Sequence, residues 1–279
     1  MSKKRPFYKK VAVVYNPDKE RAREEWLRLQ RWLKGRHLTV TGGPRVTAEM
    51  KNADFVVALG GDGTVLRVAR AASKWNVPVL GVNVGRLGFL AATEVGATYR
   101  TLSRILAGQG RVEYRSMLTV SATSGSKTHG PFLALNECVV RSGATGRILI
   151  LQAFIQNRHL ATYVGDGVIV STPTGSTAYN LAASGPIVHP DVDVMLISPI
   201  CPHSLFQRPL VVPTSEVIGI KIEGPQTSAV LSIDGQLNHS LALGDTVEIR
   251  QASERAPLLM DPDRSFYQVL QSKLKWGGS

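Results

Sequence analysis

Residues 55–72 read Phe-Val-Val-Ala-Leu-Gly-Gly-Asp-Gly-Thr-Val-Leu-Arg-Val-Ala-Arg-Ala-Ala. The apolar run Phe55 to Leu59 has the texture of a buried strand, and Val65 to Ala72 has that of a helix. Between them a single carboxylate, Asp62, is bracketed by glycines. Glycine reaches backbone conformations closed to other residues and lets a ligand approach the main chain, while the first N–H groups of a helix favour an anion. A strand, a glycine turn with one acid and a helix therefore suggest a phosphoryl-transfer site. An isolated Asp-Gly would be ordinary turn chemistry; the two preceding glycines and the strand-to-helix setting favour the site.

Outward from this stretch the alternation continues. Lys10 to Tyr15 reads as a buried strand, Asn16-Pro17-Asp18 as its turn, and a helix starts near Glu20. Trp26, Leu29, Trp32 and Leu33 share one face of that helix, which makes the tryptophans core rather than binding residues. Short strands at Leu38 to Thr41 and Pro78 to Val82, and a helix from Thr98 to Ala107, complete an α/β pattern. Such a pattern implies a Rossmann-like parallel sheet with ligands beyond the carboxyl ends of its strands. Asn83 to Phe89 is a second glycine-bearing loop at such an end; it either lines the same site through Arg86 or is a plain connection.

The texture changes after Gly108. Val112 to Thr123, Phe132 to Arg141, Ile148 to Gln156, His159 to Val164 and Gly167 to Ser171 read as β segments separated by turn signals. Further strands are expected at Val194 to Ser198, Glu216 to Glu223, Ala229 to Ile233 and Thr246 to Arg250. At 279 residues the chain exceeds the ~100 to 150 residues usual for one domain. The expected division is an α/β domain over 1–108, rejoined by a helical tail within 255–279, and a β-rich domain over 109–254.

Lys and Arg number 33 against 21 Asp and Glu, a net charge of +12. That balance suits nucleic acid, an anionic membrane surface or phosphate-rich small molecules. No aromatic and basic repeat of an RNA-binding sheet and no zinc-finger spacing is present, so nucleic acid is a minor hypothesis. The two cysteines, Cys138 and Cys201, sit in dissimilar contexts and suggest neither a disulfide framework nor a redox pair, which points to a reducing cytoplasm. No signal peptide or membrane span is expected.

Residues 165–190 form a second constellation, with one acid, Asp166, and a dense set of hydroxyls in Ser171-Thr172-Pro173-Thr174-Gly175-Ser176-Thr177-Ala178-Tyr179. Side-chain hydroxyls and free helix N–H groups there can hold a sugar, a base edge or phosphates. Ser176 lacks the Gly-x-Ser-x-Gly setting of a hydrolase nucleophile, and His189 and His203 are isolated in Pro-rich segments. P-loop and Gly-x-Gly-x-x-Gly fingerprints are missing from the first strand–helix unit.

Gly60 to Thr64, Asn136-Glu137 and residues 171–179, in that order, closely resemble the NAD kinase family. Leu87-Gly88-Phe89-Leu90, residues 200–205 and Asp234-Gly235-Gln236 add to the resemblance, which covers roughly Val11 to Arg250. It implies ATP- or polyphosphate-dependent phosphorylation of the adenosine ribose 2′-hydroxyl of NAD, giving NADP, with a divalent metal such as Mg²⁺. It also implies an α/β domain plus a β-rich domain, and a homo-oligomer, dimer or tetramer. By matching motif, Asp62 is the general base, Gly63 its backbone neighbour, and Arg67 lies near the phosphates. Asn136 and Glu137 bind the adenosine ribose; Asp166, Thr174, Thr177, Ala178, Tyr179, Asn180, Leu181 and Ala182 complete the NAD pocket, with Arg147 and Gln236 as further contacts. Val164 stands where many relatives carry a basic residue. The competing readings are a lipid or sphingoid kinase sharing the Gly-Gly-Asp-Gly-Thr loop, and a dinucleotide-binding protein without turnover.

Overall fold

The computed structural model describes residues 8–85, 88–143, 148–224 and 228–276. They divide into two compact units, one formed by residues 1–114 with 255–279 and the other by 115–254.

The first unit alternates strand and helix: β1 (Lys10–Tyr15), α1 (Glu20–Lys34), β2 (Thr39–Gly43), β3 (Phe55–Gly60), α2 (Asp62–Ala72), β4 (Val79–Asn83), β5 (Thr93–Glu94), α3 (Thr98–Leu106) and β6 (Arg111–Arg115). Its sheet has the order β2-β1-β3-β4, with β1 parallel to both β2 and β3, and β3 parallel to β4. Because β1 has β2 on one side and β3 on the other, the chain leaves β1 and β3 in a crevice at the carboxyl edge, the usual ligand position in such sheets. β3 is buried along its whole length, as a strand covered on both faces should be. α1 buries Ala22, Trp26, Leu29 and Leu33. Gly42 of β2 is needed there, since a β-carbon would strike the Val13 carbonyl and the Trp26 ring. Trp32 departs from the expected core face: it is half-exposed, with the Arg36 guanidinium 3.6 Å from its ring centroid and Tyr99 beside it.

The second unit carries β7 (Leu118–Ser124), β8 (Lys127–Ala134), β9 (Glu137–Ser142), β10 (Leu149–Ile155), β11 (Arg158–Gly165), β12 (Gly167–Ser171), the short helix α4 (Tyr179–Ala182), β13 (Val194–Ile200), β14 (Leu210–Pro213), β15 (Ile218–Glu223), β16 (Ala229–Ile233), β17 (Leu237–Leu241) and β18 (Thr246–Gln251). They form two antiparallel six-stranded sheets, β11-β10-β15-β18-β7-β8 and β14-β13-β12-β9-β16-β17. One apolar core joins their inner faces, taking Leu118, Leu151 and Ile220 from the first and Val140, Val170 and Leu231 from the second.

Two expected strands are each two. Val112 to Thr123 breaks at Ser116-Met117, and its halves belong to different sheets. Phe132 to Arg141 breaks at Leu135-Asn136. After the β-rich unit the chain returns as β19 (Ala256–Met260), parallel to β4, and α5 (Phe266–Leu274), whose start is a capping box between Ser265 and Gln268.

Candidate functional site

Within the first unit, Asp62 is the first residue of α2, where an acid suits the helix dipole. Its Oδ2 accepts the Phe89 N–H at 2.8 Å and its Oδ1 the Leu90 N–H at 3.3 Å. The carboxylate lies flat on Gly88, where a β-carbon would overlap Oδ1 and Cγ. Gly60 is closed to any side chain by Thr64, and its carbonyl accepts the Val84 N–H at 2.9 Å. These contacts join the ends of β3 and β4, and Asn16 N–H to the Leu59 carbonyl at 2.9 Å joins the end of β1. Two cations attend this edge. Lys19 Nζ lies 3.6 Å from where a β-carbon on Gly61 would sit and 3.8 Å from that on Gly85. Arg264 donates to the Gly88 carbonyl at 3.2 Å; burial lowers its pKa, while Asp62 and other acids oppose that shift. A glycine-lined anion seat, a fixed carboxylate and two positive groups make a chemistry of phosphate binding and proton transfer available.

Within the second unit, the break between β8 and β9 is held by Asp234, which follows β16 in a left-handed conformation (φ 50°). Its carboxylate accepts the amides of Leu135 (3.1 Å), Asn136 (2.8 Å) and Glu137 (3.2 Å). The Thr172–Thr177 turn closes on the same corner: Thr172 N–H donates to the Asn136 carbonyl, and its hydroxyl donates to Leu135 and accepts from Gly175. Gly175 sits so near the Asn136 carbonyl that no β-carbon fits. Asn136, Glu137 and Thr174 are all buried, and Glu137 Oε2 and Thr174 Oγ1 have no hydrogen-bond partner among the described residues. Buried orphans of this kind are costly unless something supplies the missing partner. Burial, reinforced by Asp234, pushes the Glu137 carboxyl up to about 8, with the Tyr179 amide opposing. A cavity of about 550 Å³ opens beside Tyr179 and Ala182, walled also by Pro199, Cys201 and Arg208.

Family models described as the ATP-NAD kinase N-terminal and C-terminal domains match residues 45–110 and 135–260. The chain is 40% identical over 284 residues to the NAD kinase of Moorella thermoacetica, covering 97% of this chain and 90% of that protein. It is 38% identical over 279 residues to that of Heliobacterium modesticaldum, covering 96% and 99%. The chain belongs to the NAD kinase family. Among solved structures, an Archaeoglobus fulgidus NAD kinase in complex with ATP superposes with a TM-score of 0.79 at 26% identity, over 95% of this chain and 98% of that one. Yeast NADH kinase complexed with NADH shares the fold, with a TM-score of 0.87 at 24% identity over 99% of this chain and 89% of that one.

For an NAD kinase family member, the expected site residues fall into groups. Asn136, Glu137, Thr174 and Thr177 gather at the Asp234 corner, and Tyr179, Leu181 and Ala182 run past it with Tyr179 and Ala182 exposed. Ala178 is half-buried at the turn into α4. Asn180 is fully buried: its Nδ2 donates to the Ser176 and Pro186 carbonyls and its Oδ1 accepts from Ser198, so its side chain fixes the loop and has no face for a ligand. Ser176 is likewise committed to Val188. Asp166 is exposed and accepts the Cys201 thiol. Gln236 is half-buried in the Asp234 turn, and Gly63 is exposed beside Asp62. Arg67 turns to the Pro44 carbonyl at 3.4 Å, its partner among the described residues. Arg147, like Arg86 and Leu87, lies outside the described residues. Three residues the sequence reading passed over belong here. Lys19 and Arg264 reach the glycine loops from a turn and from the tail, and Asp234 matters through its three amides; only the Asp-Gly-Gln match hinted at the last.

Proposed function

We propose that this chain phosphorylates the 2′-hydroxyl of the adenosine ribose of NAD, with Asp62 as general base. The observation that carries the reading is the carboxylate of Asp62, fixed at the helix start by two amides and exposed to an approach that only glycines permit. As the ribose oxygen bonds to the terminal phosphorus of ATP or polyphosphate, its proton passes to Asp62, and the bond from that phosphorus to the shortened donor breaks. Lys19, Arg264 and the N-terminal amides of α2 offset charge on the transferring group. Asn136, Glu137, Thr174 and Thr177 hold the adenosine, with Tyr179 to Ala182, Asp166, Arg147 and Gln236 around it. In this arrangement Asn180 acts by shaping its loop, and Arg67 by bracing the Pro44 segment.

The reading includes a divalent metal, Mg²⁺ by preference. Among the described residues no group of three or more His, Cys, Asp or Glu side chains could hold one. In this reading the ion would arrive on the donor's phosphates, as Mg²⁺ commonly does. A homo-oligomer is part of the same reading, and the almost fully exposed Leu205 and Phe206 suit a contact with another subunit. A cytoplasmic location fits two free cysteines. No described helix is long and apolar enough to cross a membrane.

The test is a coupled assay for NADP in which ATP and polyphosphate are compared, each with and without Mg²⁺. NADP formation that needs a donor and Mg²⁺ is the expected result. Phosphorylation of diacylglycerol instead of NAD would transfer the chain to lipid kinases, and saturable NAD binding without NADP would make it a binding protein.

A further inference from the structure

The Asp234 corner contains two carboxyl groups in unequal surroundings. Asp234 is supplied with three main-chain donors, so its negative charge is compensated where it stands. Glu137 is 6% exposed, faces the amide of Tyr179 with one oxygen and leaves Oε2 without a partner among the described residues. Burial and a neighbouring acid both favour the protonated form of Glu137, which has fewer hydrogen-bond donors than Asp234. The other titratable group at this corner, the Cys138 thiol, is fully buried and kept protonated by burial and by both acids. Among the described residues, no cation is one of the groups that act on Glu137.

Resting on the NAD kinase reading above, we propose that Asp234 is a positioning residue for NAD: its carboxylate holds the Asn136–Glu137 corner through three amides and so directs Glu137 Oε2 to the nucleotide's ribose. Burial first, and Asp234 second, favour the protonated form of Glu137, so that Oε2–H is the donor of that hydrogen bond. Every group here then has a purpose. The buried orphan atom becomes a donor awaiting an acceptor, and the ribose is met by a neutral acid where an ionised one would lie beside a second negative charge. The sign follows from the Glu137 value of about 8. Below that pH the donor is present, and above it the proton is lost and NAD must cover an ionised pair, so affinity falls.

The experiment measures KM for NAD from pH 6 to 10 in the wild type, Asp234→Asn and Glu137→Gln, with kcat recorded beside it. In the wild type KM rises as the pH passes about 8. In Asp234→Asn the like charge is gone, and the rise moves about one pH unit lower. In Glu137→Gln the rise disappears. A purely structural Asp234 would raise KM equally at every pH and leave the position of the rise unmoved; that result, or a flat wild-type profile, overturns the proposal. A readout independent of turnover is the infrared C=O band of a protonated carboxyl at pH 7, present in the wild type and absent in Glu137→Gln. Its absence from the wild type would overturn the proposal even where NADP forms, and its presence without NADP would instead fault the kinase reading.

Discussion

Gly88 has no room for a methyl group, because the Asp62 carboxylate occupies the space a β-carbon would need. The same carboxylate is tied to the amides of Phe89 and Leu90, so its oxygens are set by a neighbouring loop and not by the helix alone. Displacing a reactive group by about 1 Å can cost ~10²-fold in rate. Gly88→Ala should therefore lower kcat by ~10²-fold while the circular dichroism spectrum keeps its native form. Wild-type kcat in that variant would mean that the carboxylate is not held as described. At this scale Asp62 is legible in the sequence because its signal is local: a strand, a glycine turn and a helix within eighteen residues. Lys19 and Arg264 are not legible, because each becomes part of the glycine edge only through contacts made by folding, in the case of Arg264 with Gly88, 176 residues away.

The Thr172–Thr177 turn shows the same logic in an element. Thr172, through its amide and hydroxyl, and Gly175, through its missing side chain, press the turn onto Leu135 and Asn136. Forcing extra volume into such a fitted contact typically costs ~1 to 3 kcal/mol. Gly175→Ala should lower the melting temperature and raise KM for NAD by ~10-fold or more, since the Asn136 carbonyl must retreat from the corner. An unchanged KM alongside a lowered melting temperature would show that the turn supports the fold without shaping the NAD site. Elements with strong periodicity are readable from the chain: α1 begins at Glu20 and β12 spans Gly167–Ser171, as their patterns suggest. β14, β17 and β19 escape notice for separate reasons. β14 (Leu210–Pro213) is short and ends in proline at a sheet edge, β17 (Leu237–Leu241) is an edge strand with a polar centre, and β19 carries Pro257 inside its run. The breaks at Ser116-Met117 and Leu135-Asn136 are invisible for a further reason. Nothing in either apolar alternation marks a stop, and the second is imposed by Asp234, almost a hundred residues away.

For the whole molecule, the α/β pattern followed by a β-rich stretch is enough to read the fold class, whereas the order of strands in the two antiparallel sheets is not. Alternation says which side chains face inward, but not which strand lies next to which, and β15 pairs with β10 and β18 across long connections. A net charge of +12 suits substrates that carry several phosphates, and the chain places cations at the glycine edge, through Lys19 and Arg264. The proposed function rests on one claim, that the Asp62 carboxylate takes the proton of the NAD ribose hydroxyl. The most direct test compares Asp62→Asn with the wild type in NADP formation and in NAD binding by titration calorimetry. The account predicts NAD affinity within a few-fold of wild type and turnover lower by ~10²-fold or more; near-normal turnover in Asp62→Asn would contradict it.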